Sequence, residues 1–314
     1  MTKHALAAGL LAVVALLACS HAGRATADEP KAEPKVEPKV DAEPKLDAEP
    51  KADAEPKADA KPPEAKQLQI CGDPNNLPFS NEKLEGIENK IAEVVAKDLG
   101  MTVAYTWWPH QRGLVKRVLN TRRCDVMLGI PKGYDPVLWT KPYYRTGYVI
   151  AYRKDRGLKL QSLDDPQLAK LKIGVLVNTP PHDALGQRGI AGDNVIGYQL
   201  MFDSNFHAED YPGKVVEDLI AGSIDVALVW GPIAGYFARK KAAPLELVLL
   251  EDKPESGNRF AFDISMGVRK GNTELKDKLE AALARKHAEI EHILEDFGVP
   301  LLPAGEEKAR GKRR

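Results

Sequence analysis

From residue 67 onward, short apolar runs alternate with segments whose apolar positions recur at helical spacing. Leu68-Gln69-Ile70-Cys71 opens as a strand and breaks at Gly72-Asp73-Pro74. Ile87, Ile91, Val94, Val95 and Leu99 then share one helical face, and Gly100 closes the segment, so a helix is predicted over 87–99. Residues 101–108 read as the next strand, 112–120 as a short helix and 125–130 as a continuous apolar strand. Residues 148–152 read as a strand leaving this first lobe. A second series follows, with a strand at 172–177, a helix near Asp183, a strand at 195–198, a helix at 214–221 and a strand at 225–229. Residues 264–268 form a return strand, and 273–297 a closing helix expected to pack on the first lobe. This alternation predicts an α/β fold of mainly parallel sheets, in two lobes joined by two crossing hinge strands. Lobe 1 is expected over 67–152 and 260–303 and lobe 2 over 153–259, with a cleft between them that can hinge shut.

The first 66 residues obey no such pattern. Lys3 supplies a positive start, and the apolar run from Ala5 to Ala18 is too short for the roughly 20 residues of a membrane span, as in an export signal. Two ways of cutting it stay open. Leu16-Leu17-Ala18-Cys19 resembles a lipobox, which would make 1–19 the signal and Cys19 a lipid-modified first residue. Ala25-Thr26-Ala27 fits ordinary cleavage before Asp28. Residues 20–66 carry the repeat EPKLDA, EPKADA, EPKADA (43–60), where proline forbids helix and sheet and no large apolar residue recurs. Such a segment is a semi-rigid tether of roughly 3 Å per residue, with a reach on the order of 100 Å. Residues 304–314, with Lys308, Arg310, Lys312, Arg313 and Arg314, form a basic tail.

Charge is balanced, with 45 Lys and Arg against 45 Asp and Glu, which gives no reason to expect a nucleic-acid partner. No segment after the signal is apolar enough to span a membrane, so attachment to one is expected only through a lipid. Cys71 and Cys124 are the only two thiols left after processing at either site. In an oxidising compartment two such cysteines predict a disulfide; two buried free thiols are the other reading. No His or further Cys stands at ligand spacing beside them, so no metal is expected.

In open α/β sheets, ligands sit beyond the carboxyl ends of the strands. That rule selects Asp73, Asn75, Asn76 and Phe79 after the first strand, Trp107 and Trp108 after the second, and Pro131, Lys132 and Tyr134 after the third. In the second lobe it selects Asn178, Thr179, His182 and Asp183, then Trp230 and Tyr236. Asp73-Pro74-Asn75 also suits a plain turn, and His182 a surface loop. Consecutive Trp107 and Trp108 face opposite sides of a strand, so only one of them can line a cleft. The set is aromatic and amide-rich with few charges, which suits a flat, weakly charged ligand or a protein surface.

Four motifs carry a resemblance: CGDPNNLPFSNE (71–82), YTWWPHQRG (105–113), CDVMLGIPKGYDPVLWTKPYYR (124–145) and IDVALVWGPIAGYFA (224–238). Residues 68–300 as a whole resemble the extracellular solute-binding proteins of amino-acid-type transporters, of the type II periplasmic fold. The motifs are similar to those of the quinoprotein-dehydrogenase-associated binding proteins, the MxaJ/XoxJ type of accessory protein in methanol oxidation. The resemblance implies a non-catalytic periplasmic protein without a cofactor; a monomer is expected by default, because no heptad or long apolar edge argues otherwise. It would serve the maturation or activation of a PQQ-dependent methanol or alcohol dehydrogenase, with that dehydrogenase as partner. The alternative is the substrate-binding subunit of an ABC importer for a small solute in the cleft.

Departures from the amino-acid binders narrow that solute. Where those proteins grip a carboxylate with arginine, this chain has Pro131-Lys132-Gly133-Tyr134-Asp135, with no arginine until Arg145. Where they hold the amine with aspartate it has Trp230, and their backbone-donating turn is replaced by Asn178-Thr179-Pro180-Pro181. An unpaired zwitterion would cost several kcal/mol, so an ordinary amino acid is not expected. No nucleophile elbow, phosphate loop or metal cluster is present in the sequence. Asp73 and Asp183 would be the carboxylates of any proton-shuttling chemistry.

Overall fold

Apolar strand residues are buried on both faces here, as parallel sheets covered by helices require. The computed structural model describes residues 66–110, 113–199, 211–252 and 257–303. The expected export signal, the tether up to residue 65 and the basic tail lie outside these residues. β1 (Gln67–Gly72) pairs in parallel with β4 (Thr102–Trp107) and β5 (Val126–Pro131). Two short strands, β2 (Asn75–Asn76) and β3 (Ser80–Asn81), form a separate hairpin after β1. β12 (Ala261–Val268) runs antiparallel to β5 and also pairs with β6 (Leu138–Trp139). Along β5, Val126 and Leu128 face the cluster under α1 (Ile87–Asp98), while Met127 and Ile130 face the opposite cluster.

β7 (Tyr144–Arg153) joins the lobes. Its first half pairs with β12, from Tyr144↔Ile264 to Gly147↔Ala261. Its second half pairs on one edge with β11 (Leu245–Leu249) and on the other with β10 (Val226–Trp230). β8 (Ile173–Leu176) and β9 (Val195–Tyr198) extend β10 in parallel. α3 (Lys214–Ala221) and α4 (Gly231–Lys240) cover one face of this second sheet, and α2 (Pro180–Gln187) covers the other. Val149 and Ala151 of β7 face the first of these clusters, Ile150 and Tyr152 the second. Arg145 bonds Asp263 at 3.1 Å and lies 3.9 Å from Asp252. The first arginine after β5 therefore serves the junction between the lobes.

Cys71 and Cys124 are disulfide-bonded, with Cα atoms 5.3 Å apart, at the end of β1 and just before β5. Two expected helices differ from expectation. Over 112–120 the chain makes a π-helical turn, Val115–Leu119. The closing helix is two, α5 (Thr273–Arg285) and α6 (His287–Asp296), parted at Lys286, whose φ of −102° and ψ of 12° lie off the helical values. The break lets Leu279, Ala282 and Leu283 of α5, and Ile290 and Leu294 of α6, all reach the first-lobe cluster with α1.

Beyond α6 the chain crosses to the second lobe. Thr146 Oγ1 donates to the Pro300 carbonyl at 2.7 Å, Leu302 N–H donates to the Arg145 carbonyl, and Phe297 stacks on Tyr236 of α4. A Cβ at Gly235 would lie 1.8 Å from the Gly298 carbonyl oxygen, so only glycine permits this approach.

Candidate functional site

A cavity of about 1280 Å³ opens between the lobes, where the strand ends and the first turns of the following helices converge. The first lobe contributes Asn76, Phe79, Glu88, His110, Met127 through Pro131, and Tyr134. The second contributes Leu176, Pro212, Trp230 and Ile233, while Tyr144, Tyr148 and Phe262 line it from β7 and β12. Tyr148, Trp230 and Phe262 pack edge to face, with ring centroids 5.0 to 6.4 Å apart.

The expected residues are divided by this geometry. Asn76, Phe79, Pro131, Tyr134 and Trp230 line the cavity. Asp73 is buried beside it, but its carboxylate accepts the Asn75 N–H at 3.0 Å and the His110 N–H at 2.7 Å, the arrangement of a turn-holding aspartate. Asn75 is exposed. Trp107 stacks on Tyr105 at 4.4 Å and covers Gly72. Trp108 packs against the cluster around the disulfide, with Arg123 over its ring. Lys132 reaches over Trp139. Thr179 is buried and bonds the Leu176 carbonyl at the start of α2, after Asn178. His182 and Asp183 lie on exposed α2 positions 3.9 Å apart, and Tyr236 faces Phe297 and Lys240. None of these ten, from Asp73 to Tyr236, is in the cavity wall.

Glu88 and His110 escaped the strand-end rule. Glu88 sits in the first turn of α1, at a position that looks like the polar side of an amphipathic helix. That turn points its carboxyl into the cavity, where it is only 8 % exposed. Burial, and then the Asp73 carboxylate, push its pKa from 4.5 up to about 8. His110 is held below the usual imidazole range by burial, against the opposing pull of Asp73 and the Cys71 carbonyl. Its Nε2 is buried without a hydrogen-bond partner. Burial also raises Tyr148 to about 12, and holds Tyr143 and Tyr144 well above the usual phenol range. Extending the rule to the first turn of the helix that follows each strand would have found Glu88. Tyr148 and Phe262 sit on crossing strands, to which the rule does not apply.

Space for the Glu88 carboxyl comes from Gly129. Its φ is +68°, and a Cβ there would stand 2.3 Å from Glu88 Oε1. Replacing Gly129 by alanine is expected to lower stability by about 1–3 kcal/mol, the range for a non-glycine residue held in that backbone region. An unchanged urea midpoint would mean that the turn relaxes without cost.

Comparison with known proteins adds to this geometry. Residues 68–299 match the bacterial extracellular solute-binding proteins, family 3. Protein MoxJ of Methylorubrum extorquens is 32 % identical over 251 residues, covering 77 % of this chain and 83 % of that protein. Protein MoxJ of Paracoccus denitrificans is 30 % identical over 254 residues, covering 77 % and 91 %. The crystal structure of the periplasmic binding protein XoxJ from Methylobacterium extorquens AM1 superposes with a TM-score of 0.63 at 35 % identity, covering 75 % of this chain and 99 % of that one.

Proposed function

Because the chain belongs to the bacterial extracellular solute-binding proteins of family 3, and within them to the MoxJ-like proteins, we propose that it is a periplasmic binding protein serving a methanol dehydrogenase system. In this reading it is non-catalytic and assists the maturation or activation of a PQQ-dependent alcohol dehydrogenase. Cys19 anchors it to a membrane, and the tether spans the intervening layer.

The observation that carries this reading is the cleft wall. It is wide, largely apolar and aromatic, and among the described residues it offers no arginine for a carboxylate. Arg145 is engaged by Asp263, and Trp230 stands within the aromatic cluster. A surface built this way suits an apolar segment of a partner protein better than a zwitterionic solute.

The test is binding of the full chain to the purified PQQ dehydrogenase of the same organism, followed by surface plasmon resonance. Saturable binding is expected, and changing both Tyr134 and Trp230 to alanine should weaken it about tenfold or more, as truncating aromatic anchors does. Absence of binding to both the cofactor-free and the loaded dehydrogenase would overturn the reading.

A further inference from the structure

Among the described residues, two polar groups in the cavity wall have no hydrogen-bond partner. Glu88 is more than nine-tenths buried, and its carboxyl receives no hydrogen bond that would offset burial and the nearby Asp73. His110 Nε2 is buried and unpartnered. A ring proton directed at the Cys71 backbone, whose hydrogen bond favours the charged ring, would leave Nε2 with a lone pair. Both residues line the same cavity and both feel the Asp73 carboxylate.

The surroundings fix the sign of the missing charge. Glu88 is faced by Asp73 from the loop after β1, by Tyr105 of β4, and by Tyr143 and Tyr144 where β7 begins. None of these is a cation. Lys116 and Lys270, the lysines among the lining residues, are exposed at the cavity rim. The opposite wall presents the Tyr148, Trp230 and Phe262 rings, whose faces attract cations and shelter apolar groups.

We propose that the cleft is a receptor for an organic amine, whose ammonium group is held by Glu88 and His110 and whose apolar or aromatic body lies against Tyr148, Trp230 and Phe262. The ligand supplies the hydrogen-bond donors and the positive charge that the buried part of the wall lacks among the described residues. Carboxylates and zwitterions are excluded, because the wall gives an anion no buried partner among the described residues. Closure of the lobes about β7 brings the cavity down to the size of its ligand. This inference concerns a small molecule in the same cleft that the proposed partner segment would use, through Trp230, and it is tested without the dehydrogenase.

Calorimetry on the full chain tests it with three probes of one shape: 2-phenylethylamine, 2-phenylethanol and 3-phenylpropionate. The amine is expected to bind, the alcohol at least about tenfold more weakly, which is the loss of a charged hydrogen bond, and the carboxylate not at all. Glu88 must ionise to meet an ammonium, so at pH 7 binding releases about one proton, read from the heats in two buffers of different ionisation enthalpy. Glu88→Gln should abolish the proton release and reduce the amine to the alcohol's affinity, in a protein whose thermal unfolding shows that it is folded. The inference is overturned if the amine fails to bind at millimolar concentration, if the carboxylate binds equally well, or if Glu88→Gln leaves amine binding unchanged. Loss of dehydrogenase binding alone leaves it intact.

Discussion

Replacing Cys71 and Cys124 together by alanine is expected to lower the unfolding free energy by about 4 kcal/mol, the loop-closure value for a crosslink of this span. The two residues are 53 positions apart, and the bond closes the chain that contains α1 and β4. Opening it gives the unfolded chain freedom that folding must then remove. Both cysteines are essentially buried, at 1 % and 0 % exposure, against Leu114, Val118 and Met127. Alanine is therefore the appropriate replacement, since a serine hydroxyl would add an unpaired polar group to that cluster. The closed loop also carries Asp73, Glu88 and His110, so the variant should lose definition at the cleft as well as stability. Urea unfolding of the wild type, the variant and the reduced wild type checks this. A loss below about 1 kcal/mol would mean that sheet pairing already confines the unfolded loop.

The second large effect depends on pH. Glu88 titrates near 4.5 in an unfolded chain and at about 8 in the folded one. Between those values the native state holds a proton that the unfolded state has released, so stability falls as pH rises from about 4.5 to about 8 and is level beyond. The displacement corresponds to a contribution on the order of 5 kcal/mol at its upper bound. Glu88→Gln cannot ionise. It should match the wild type near pH 4.5, exceed it in stability at pH 8, and flatten this part of the profile. Chemical unfolding from pH 4 to 9 reads both curves. Parallel curves would show that the native Glu88 carboxyl ionises as readily as an exposed one.

Much of the scaffold was legible because its signals are local. The 3.6-residue spacing of Ile87, Ile91 and Val95 marked α1, and continuous apolar runs marked β5, β8 and β10. α4 was not expected, because Gly231, Pro232 and Gly235 lower helix propensity. Those small residues are there because the chain beyond α6 packs directly on that face. β11 was missed for the opposite reason, since Leu245–Leu249 is a short run whose ladder partner among the described residues is the distant β7. The disulfide was legible from cysteine arithmetic and compartment. The site was legible only in part. Residues directly after strands could be named, but the inward turn of Glu88 depends on the angle at which α1 meets the sheet. That neither Trp107 nor Trp108 lines the cavity depends likewise on what packs against each of them. Trp107 lies on Tyr105, two positions before it on the same face of β4, whereas Trp108 packs against the disulfide cluster, a contact between elements that spacing within one strand does not encode.

The pairing of β7 with both sheets has a consequence for the order in which the molecule can be completed. A chain emerging from its N-terminus supplies every strand of the second sheet by Leu249, including β7 and its partners β10 and β11. The first sheet still lacks β12, which arrives only at Ala261–Val268, and the crossing to α4 waits for Gly298 and Pro300. The inserted lobe can thus mature while the lobe that surrounds it is open along the edge of β5. Until β12 docks, that edge is an unpaired template for foreign strands, and no cavity yet exists to hold a ligand. Binding competence is therefore the last property this chain acquires, and the residues that confer it include some of the last to be made.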